Sequence, residues 1–306
     1  MLNFKANNSF FQTLPIFAYH YGVISSIINF LGGLSLKNTQ RIGRALGILS
    51  YAFSSRYREL LNSNLHRAAK LYGFEPKPLE AAKNAGMMLS DSLWIWKNPE
   101  KALALTQINH WDLVEQALSE GKGLLLISPH LGAFEMAPLI LAEHFPATVM
   151  FRQAKQKWLE DIMRSGRERK NISLAPANMS GVRQISRALQ KGETVGILPD
   201  QVPGVGEGVW AKFFGRHAYT AVLPTKIARH NKVPTLIFRV RRLEKSKGWV
   251  LDVSNIENDF DIDPKIAATQ LNKELEKAII EYPHQYLWGY NRYKHPAGAE
   301  LPPAEK

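Results

Sequence analysis

The residues best placed to do chemistry lie in one short run, Ser128-Pro129-His130-Leu131-Gly132-Ala133-Phe134-Glu135. An apolar strand-like segment precedes it and a helical pattern follows, so the run is a strand-to-helix turn. In open α/β sheets such turns at the carboxyl ends of strands bind ligands. Within one continuous helix, side chains five positions apart diverge by about 140° and cannot meet. With His130 in the turn and Glu135 in the first turns of the helix, the carboxylate can reach one imidazole nitrogen. The other nitrogen is then free to take a proton from a hydroxyl nucleophile. The bland alternative is a capping histidine with Glu135 in solvent. A metal pair would need a third ligand, and no other His or carboxylate falls nearby in a ligand-like register.

Two further segments carry polar groups in suggestive places. Leu198-Pro199-Asp200-Gln201-Val202-Pro203-Gly204 again ends a strand, and Asp200 could orient a substrate or an arginine there. The glycines that follow, Gly204, Gly206 and Gly208, do not have the spacing of a dinucleotide or phosphate loop. From Arg152 to Lys170 seven basic residues stand against three acidic ones, a local balance of +4. Arg152 and Arg167 in this stretch offer planar forks that match phosphate oxygens, with a solvated helix face as the plainer reading. No G-x-S-x-G elbow occurs, which disfavours a serine hydrolase of the α/β-hydrolase type.

Short apolar runs at 123–128, 147–151, 194–198, 235–240 and 249–253 must position these turns as strands. Helical patterns lie between them, near 112–118, 135–144, 156–169, 181–189, 221–230 and 265–280. The alternation predicts an α/β domain with a mostly parallel central sheet flanked by helices. Before it, apolar residues recur at helical spacing from Asn38 to Tyr72 and again from Leu79 to Trp96. Between Lys5 and Lys37 there is no Asp, Glu, Lys or Arg, and Ile16 to Leu31 reads as an apolar helix. A cleaved signal peptide fits this poorly, and residues 1–37 are expected to form a membrane anchor, spanning or interfacial, with a buried core helix as the plainer alternative. Residues 38–306 are expected to hold the helical extension and the α/β domain. Basic residues at Lys37, Arg41, Arg44, Arg56 and Arg58 place the main body on the cytoplasmic side.

Composition narrows the function. The 306 residues are 45% hydrophobic and 22% charged, which excludes disorder and low complexity. Cysteine is absent, which removes thiol nucleophiles, thiolate zinc sites, iron–sulfur clusters and disulfides. A formal charge of +12 favours anionic partners: nucleic acid, a lipid surface, a phosphorylated substrate or an acidic carrier protein. No nucleic-acid module pattern places aromatics on a basic sheet face, so that partner is disfavoured.

Taken together in order and spacing, several segments resemble the lipid A biosynthesis acyltransferase family, the late lauroyl and myristoyl transferases. They are Arg44 to Tyr51, Asn64-Leu65, Gly121 through His130 to Glu135, Phe151-Arg152, Gly166-Arg167, Gly181-Val182-Arg183, Leu198 to Gln201, Phe213-Phe214-Gly215 and Gln285 to Trp288. The resemblance implies a glycerolipid acyltransferase-like fold, with His130 as base and Glu135 as its partner in an H-x-x-x-x-D/E motif. It also implies that Arg167 and Asp200 match further functional positions. The activity implied is O-acyl transfer from acyl carrier protein to the Kdo-modified lipid A precursor, with no cofactor and no metal, at the cytoplasmic face of the bacterial inner membrane. The alternative reading is a relative of the same fold that serves another lipid acceptor, a glycerophospholipid, an ornithine lipid or a mannosylated phosphoinositide, with acyl-CoA as an optional donor. A noncatalytic basic membrane-binding module would need neither His130 nor Glu135. Two residues depart from the family pattern: Gln153 stands where proline is frequent, and Ser128-Pro129 where small residues are common.

Overall fold

The computed structural model describes residues 26–154, 156–256 and 259–304. The α/β domain is built on a seven-stranded sheet of order β1-β9-β8-β2-β5-β3-β4. The strands are β1 (Thr106–Asn109), β2 (Leu124–Ile127), β3 (Ala147–Phe151), β4 (Ile172–Pro176), β5 (Thr194–Ile197), β8 (Thr235–Arg242) and β9 (Trp249–Asn255). All neighbouring pairs are parallel except β8 with β9. The mostly parallel sheet expected from the alternation is therefore present. A separate antiparallel hairpin, β6 (Gly208–Phe213) and β7 (Arg216–Ala221), follows the Asp200 loop.

Sheet position explains the strand sequences. β2 and β5 are central and buried throughout, so β2 reads as an unbroken apolar run and β5 carries only the small residues Thr194 and Gly196 beside its aliphatics. The crossovers are α6 (Met136–His144), α7 (Lys157–Arg167), α8 (Met179–Gln190) and α9 (Leu223–Asn231), with α5 (Asp112–Ser119) leading into β2 and α10 (Pro264–Ile280) following the last strand. Two apolar clusters fill the two faces. One joins Leu125, Ile127, Val195 and Ile197 to Leu271 and Leu275 of α10. The other joins Leu124 and Leu126 to Met136 and Ile140 of α6 and to Trp249.

The helical extension is α1 (Leu36–Phe53), α2 (Ser55–Tyr72), α3 (Pro78–Lys97) and α4 (Pro99–Ala104). The helical stretch expected from Asn38 to Tyr72 is thus two helices. Ser54 divides them, its extended backbone ending the first helix while its hydroxyl accepts from Tyr57 N–H to cap the second. α1 and α3 cross at glycines: a Cβ on Gly86 would lie 2.0 Å from the Gly43 carbonyl oxygen. The expected apolar helix from Ile16 to Leu31 lies mostly outside the described residues, of which 26–33 are helical. Among the described residues no helix is long and apolar enough to cross a membrane.

A buried ion pair joins the extension to the sheet. Arg242, at the end of β8, donates from Nε to Asp91 of α3 at 2.5 Å, from Nη1 to Asn84 at 2.8 Å and from Nη2 to the Gly132 carbonyl at 3.1 Å. Asp91 also accepts from Gln40 of α1 at 2.9 Å and from Trp249 at 3.2 Å. The extension is therefore linked, through Arg242 of β8, to the turn that carries His130.

Candidate active site

β2 and β5 are parallel neighbours with Ile127 opposite Ile197. Three residues past that pair, the chain reaches His130 on one strand end and Asp200 on the other. Seventy positions apart in sequence, they meet: His130 Nδ1 lies 2.7 Å from Asp200 Oδ1, and His130 main-chain N–H donates to Oδ2 at 2.9 Å. Asp200 is 2% exposed, while the imidazole keeps 17% of its surface. A carboxylate that accepts from Nδ1–H fixes the tautomer and leaves the Nε2 lone pair for a proton.

The electrostatics support an ionised Asp200. Burial alone would push its carboxyl up, but the charge and hydrogen bonds of His130, with Arg292 behind, outweigh it and hold the carboxyl below the usual range. Arg292 is itself buried, donating from Nη1 to the Tyr219 carbonyl at 2.7 Å and from Nη2 to Thr220 Oγ1 at 2.8 Å, while its Nε has no hydrogen-bond partner among the described residues.

The turn from His130 to α6 is fixed by its backbone. Gly132 has φ +59°, and a Cβ there would lie 2.0 Å from the Val240 carbonyl oxygen, so only glycine fits. Gly132 N–H donates to the Gln285 carbonyl at 3.0 Å and Ala133 N–H to the Val240 carbonyl at 2.9 Å. Phe134 places its ring edge-on to the imidazole, 4.8 Å between centroids.

Glu135 does not serve as the imidazole's partner. It accepts from Nε and Nη2 of Arg167 and from Trp96 Nε1 at 3.2 Å. The expected His130–Glu135 hydrogen bond is replaced by two carboxylate pairs. The reason is geometric: strand register brings Asp200 to Nδ1, while the Arg167 fork and the Trp96 N–H occupy both Glu135 oxygens. Burial would lower the Arg167 guanidinium's pKa, but the Glu135 carboxylate outweighs it and raises it. A crevice opens on this pair between Trp96, Pro138, Leu139 and Ile172, giving apolar walls beside a charged floor.

Arg152, one residue past β3, donates from Nη2 to the Val202 carbonyl at 3.0 Å and pins the loop that carries Asp200. Of the arginines in the basic stretch, Arg152 thus bonds the Asp200 loop and Arg167 bonds Glu135. The residues that sequence reasoning missed lie near the C-terminus. Val202 N–H donates to the Tyr290 hydroxyl at 3.0 Å, and Leu287 N–H to the His130 carbonyl at 3.2 Å. Leu287 entered the sequence reading only within the family-like segment Gln285 to Trp288, and Tyr290 carried no signal beyond the dense aromatic run from Tyr286 to Tyr293.

Arg167→Lys should keep the charge and lose the fork on Glu135, lowering kcat/KM by roughly tenfold or more, the scale of one charge-assisted hydrogen bond. Steady-state kinetics of the folded variant check this, and unchanged kinetics would reduce the pair to a point charge.

A family model for bacterial lipid A biosynthesis acyltransferases matches residues 14–295. The chain is similar to the lipid A biosynthesis palmitoleoyltransferase of Escherichia coli (strain K12), 25% identical over 259 residues that cover 83% of this chain and 84% of that protein. It is similar to the lipid A biosynthesis lauroyltransferase of the same strain, 25% identical over 262 residues, 83% and 84% of the two chains. A lipid A biosynthesis acyltransferase of Haemophilus influenzae (strain ATCC 51907 / DSM 11121 / KW20 / Rd) is 28% identical over 178 residues, 57% of this chain and 55% of its own length.

Proposed function

This chain belongs to the bacterial lipid A biosynthesis acyltransferase family and is an acyltransferase; from that premise we propose that it moves a fatty acyl chain from acyl carrier protein to a hydroxyl of the Kdo-modified lipid A precursor. The observation that carries the mechanism is the His130–Asp200 pair, with Nε2 available at the strand ends. The acceptor hydroxyl gives its proton to Nε2 as its oxygen attacks the thioester carbonyl. Asp200 stabilises the imidazolium that forms. The tetrahedral intermediate then expels the carrier's thiolate, which takes the proton back from His130.

Glu135 acts through Arg167. The bonds between them use Nε and Nη2 of the guanidinium, and Nη1 is assigned to an anionic group of acceptor or carrier. A net charge of +12 favours both an acidic carrier and a phosphorylated acceptor.

The enzyme works at the cytoplasmic face of the inner membrane, where its acceptor lies. Residues 1–37 are assigned to membrane attachment. α1 supports the same reading, because Leu46, Leu49 and Phe53 stand exposed on it with Arg41, Arg44 and Arg56 nearby in sequence. Exposed apolar side chains among arginines suit an anionic bilayer surface.

The test is transfer by the purified full-length protein. Incubated with Kdo-modified precursor and an acylated carrier protein, it should add one acyl mass to the precursor, and acyl-CoA should serve less well. A precursor left unchanged while a glycerophospholipid or ornithine lipid gains the chain would overturn the acceptor assignment.

A further inference from the structure

Gln201 follows Asp200 in the loop after β5, and its side-chain amide nitrogen lies 3.3 Å from His130 Nε2. That is the nitrogen the acceptor hydroxyl must reach. Because Asp200 accepts from Nδ1–H, Nε2 offers a lone pair and the amide N–H donates to it. The amide thus occupies the reactive position while substrate is away.

The loop holds this amide in place from both sides. Asp200 and Val202 are both buried. Val202 N–H is bonded to the Tyr290 hydroxyl, and its carbonyl accepts from Arg152. A donor fixed in advance is what a developing negative charge requires, since no reorganisation is then needed during the reaction.

The four main-chain donors from His130 to Ala133 are already committed. His130 N–H is bonded to Asp200, Leu131 N–H to the Pro129 carbonyl, Gly132 N–H to the Gln285 carbonyl and Ala133 N–H to the Val240 carbonyl. An oxyanion formed beside His130 therefore cannot draw on these four without breaking a bond, and the Gln201 amide is the side chain at hand.

Resting on the acyl-transfer reading above, we propose that Gln201 is a catalytic residue, whose amide caps His130 Nε2 in the resting enzyme and donates to the thioester carbonyl oxygen once the acceptor hydroxyl displaces it. The hydroxyl proton passes to Nε2, the new C–O bond forms, and the carbonyl electron pair moves onto the oxygen that Gln201 holds. Collapse restores the carbonyl, breaks the C–S bond and releases a thiolate that recovers the proton from His130.

The test compares full-length wild type with Gln201→Ala and the isosteric Gln201→Glu. Removing one oxyanion donor typically lowers kcat by about 10²–10³, and that loss is expected in kcat for both variants with KM nearly constant. Near-normal kcat in Gln201→Ala, or a loss confined to KM, overturns the role. A second measurement needs no turnover: in protein labelled with ¹⁵N-histidine, the His130 Nε2 resonance should move in Gln201→Ala, and an unmoved resonance overturns the resting contact. A wild type inert toward every thioester donor would sink the acyl-transfer reading and this role together. An active wild type with an unimpaired Gln201→Ala sinks this role alone.

Discussion

His130→Ala should lower kcat by about 10²–10⁴, the usual contribution of a positioned general base, with the protein still folded. Asp200→Asn should fall as far, which distinguishes this site from one in which Glu135 orients the base. Asp200 accepts from both the ring Nδ1 and the main-chain N–H of His130. An asparagine cannot accept at both positions and favours the wrong tautomer, an effect worth about 10⁴ in a related dyad of another fold. Glu135→Gln keeps two possible contacts to Trp96 and Arg167 and should lose less than Asp200→Asn. Single-turnover rates of the three variants, beside their thermal midpoints, decide the order. Equal losses in Glu135→Gln and Asp200→Asn would contradict the division of labour between the two carboxylates.

The largest effect on stability is expected at Arg242. Asp91 is fully buried and Arg242 nearly so, and their bond ties α1, α3, β8 and the Gly132 turn together. Arg242→Met leaves a buried carboxylate without its cation, a change that costs about 3–5 kcal/mol. For a domain this large that lowers the thermal midpoint by roughly 10 °C. Asp91→Asn should be costly for the converse reason. Replacing both partners by apolar residues of similar volume should recover much of the loss, because the pair's attraction offsets its own desolvation. A midpoint unchanged in Arg242→Met would show that the pair carries no weight in holding the extension to the turn.

How much of this was legible depended on range. The central strands were visible because residues buried on both sheet faces form unbroken apolar runs, as at Leu124–Ile127. The outer strands were not. Thr106–Asn109 is mostly exposed and polar, and Ile172–Pro176 ends in proline at the sheet edge. The antiparallel β8–β9 pair had a physical signal, since the stretch from Leu243 to Gly248 is too short for the crossover that parallel strands need. At the site, the local spacing of His130 and Glu135 suggested a contact that register denied. Asp200 stands seventy positions away and Arg167 thirty-two from Glu135, so neither pairing can be read without knowing which strands are neighbours. The placement of both turns at strand ends needed only the alternation of elements, and it marked the residues even where it mispaired them.

Mass spectrometry of lipid A from the source bacterium tests the central claim most directly. Cells lacking this chain should accumulate lipid A short of one acyl group, wild-type protein supplied in trans should restore it, and the His130→Ala and Asp200→Asn proteins, expressed to the same level, should not. An unchanged acyl count in the deleted cells, or full restoration by His130→Ala, would contradict the account.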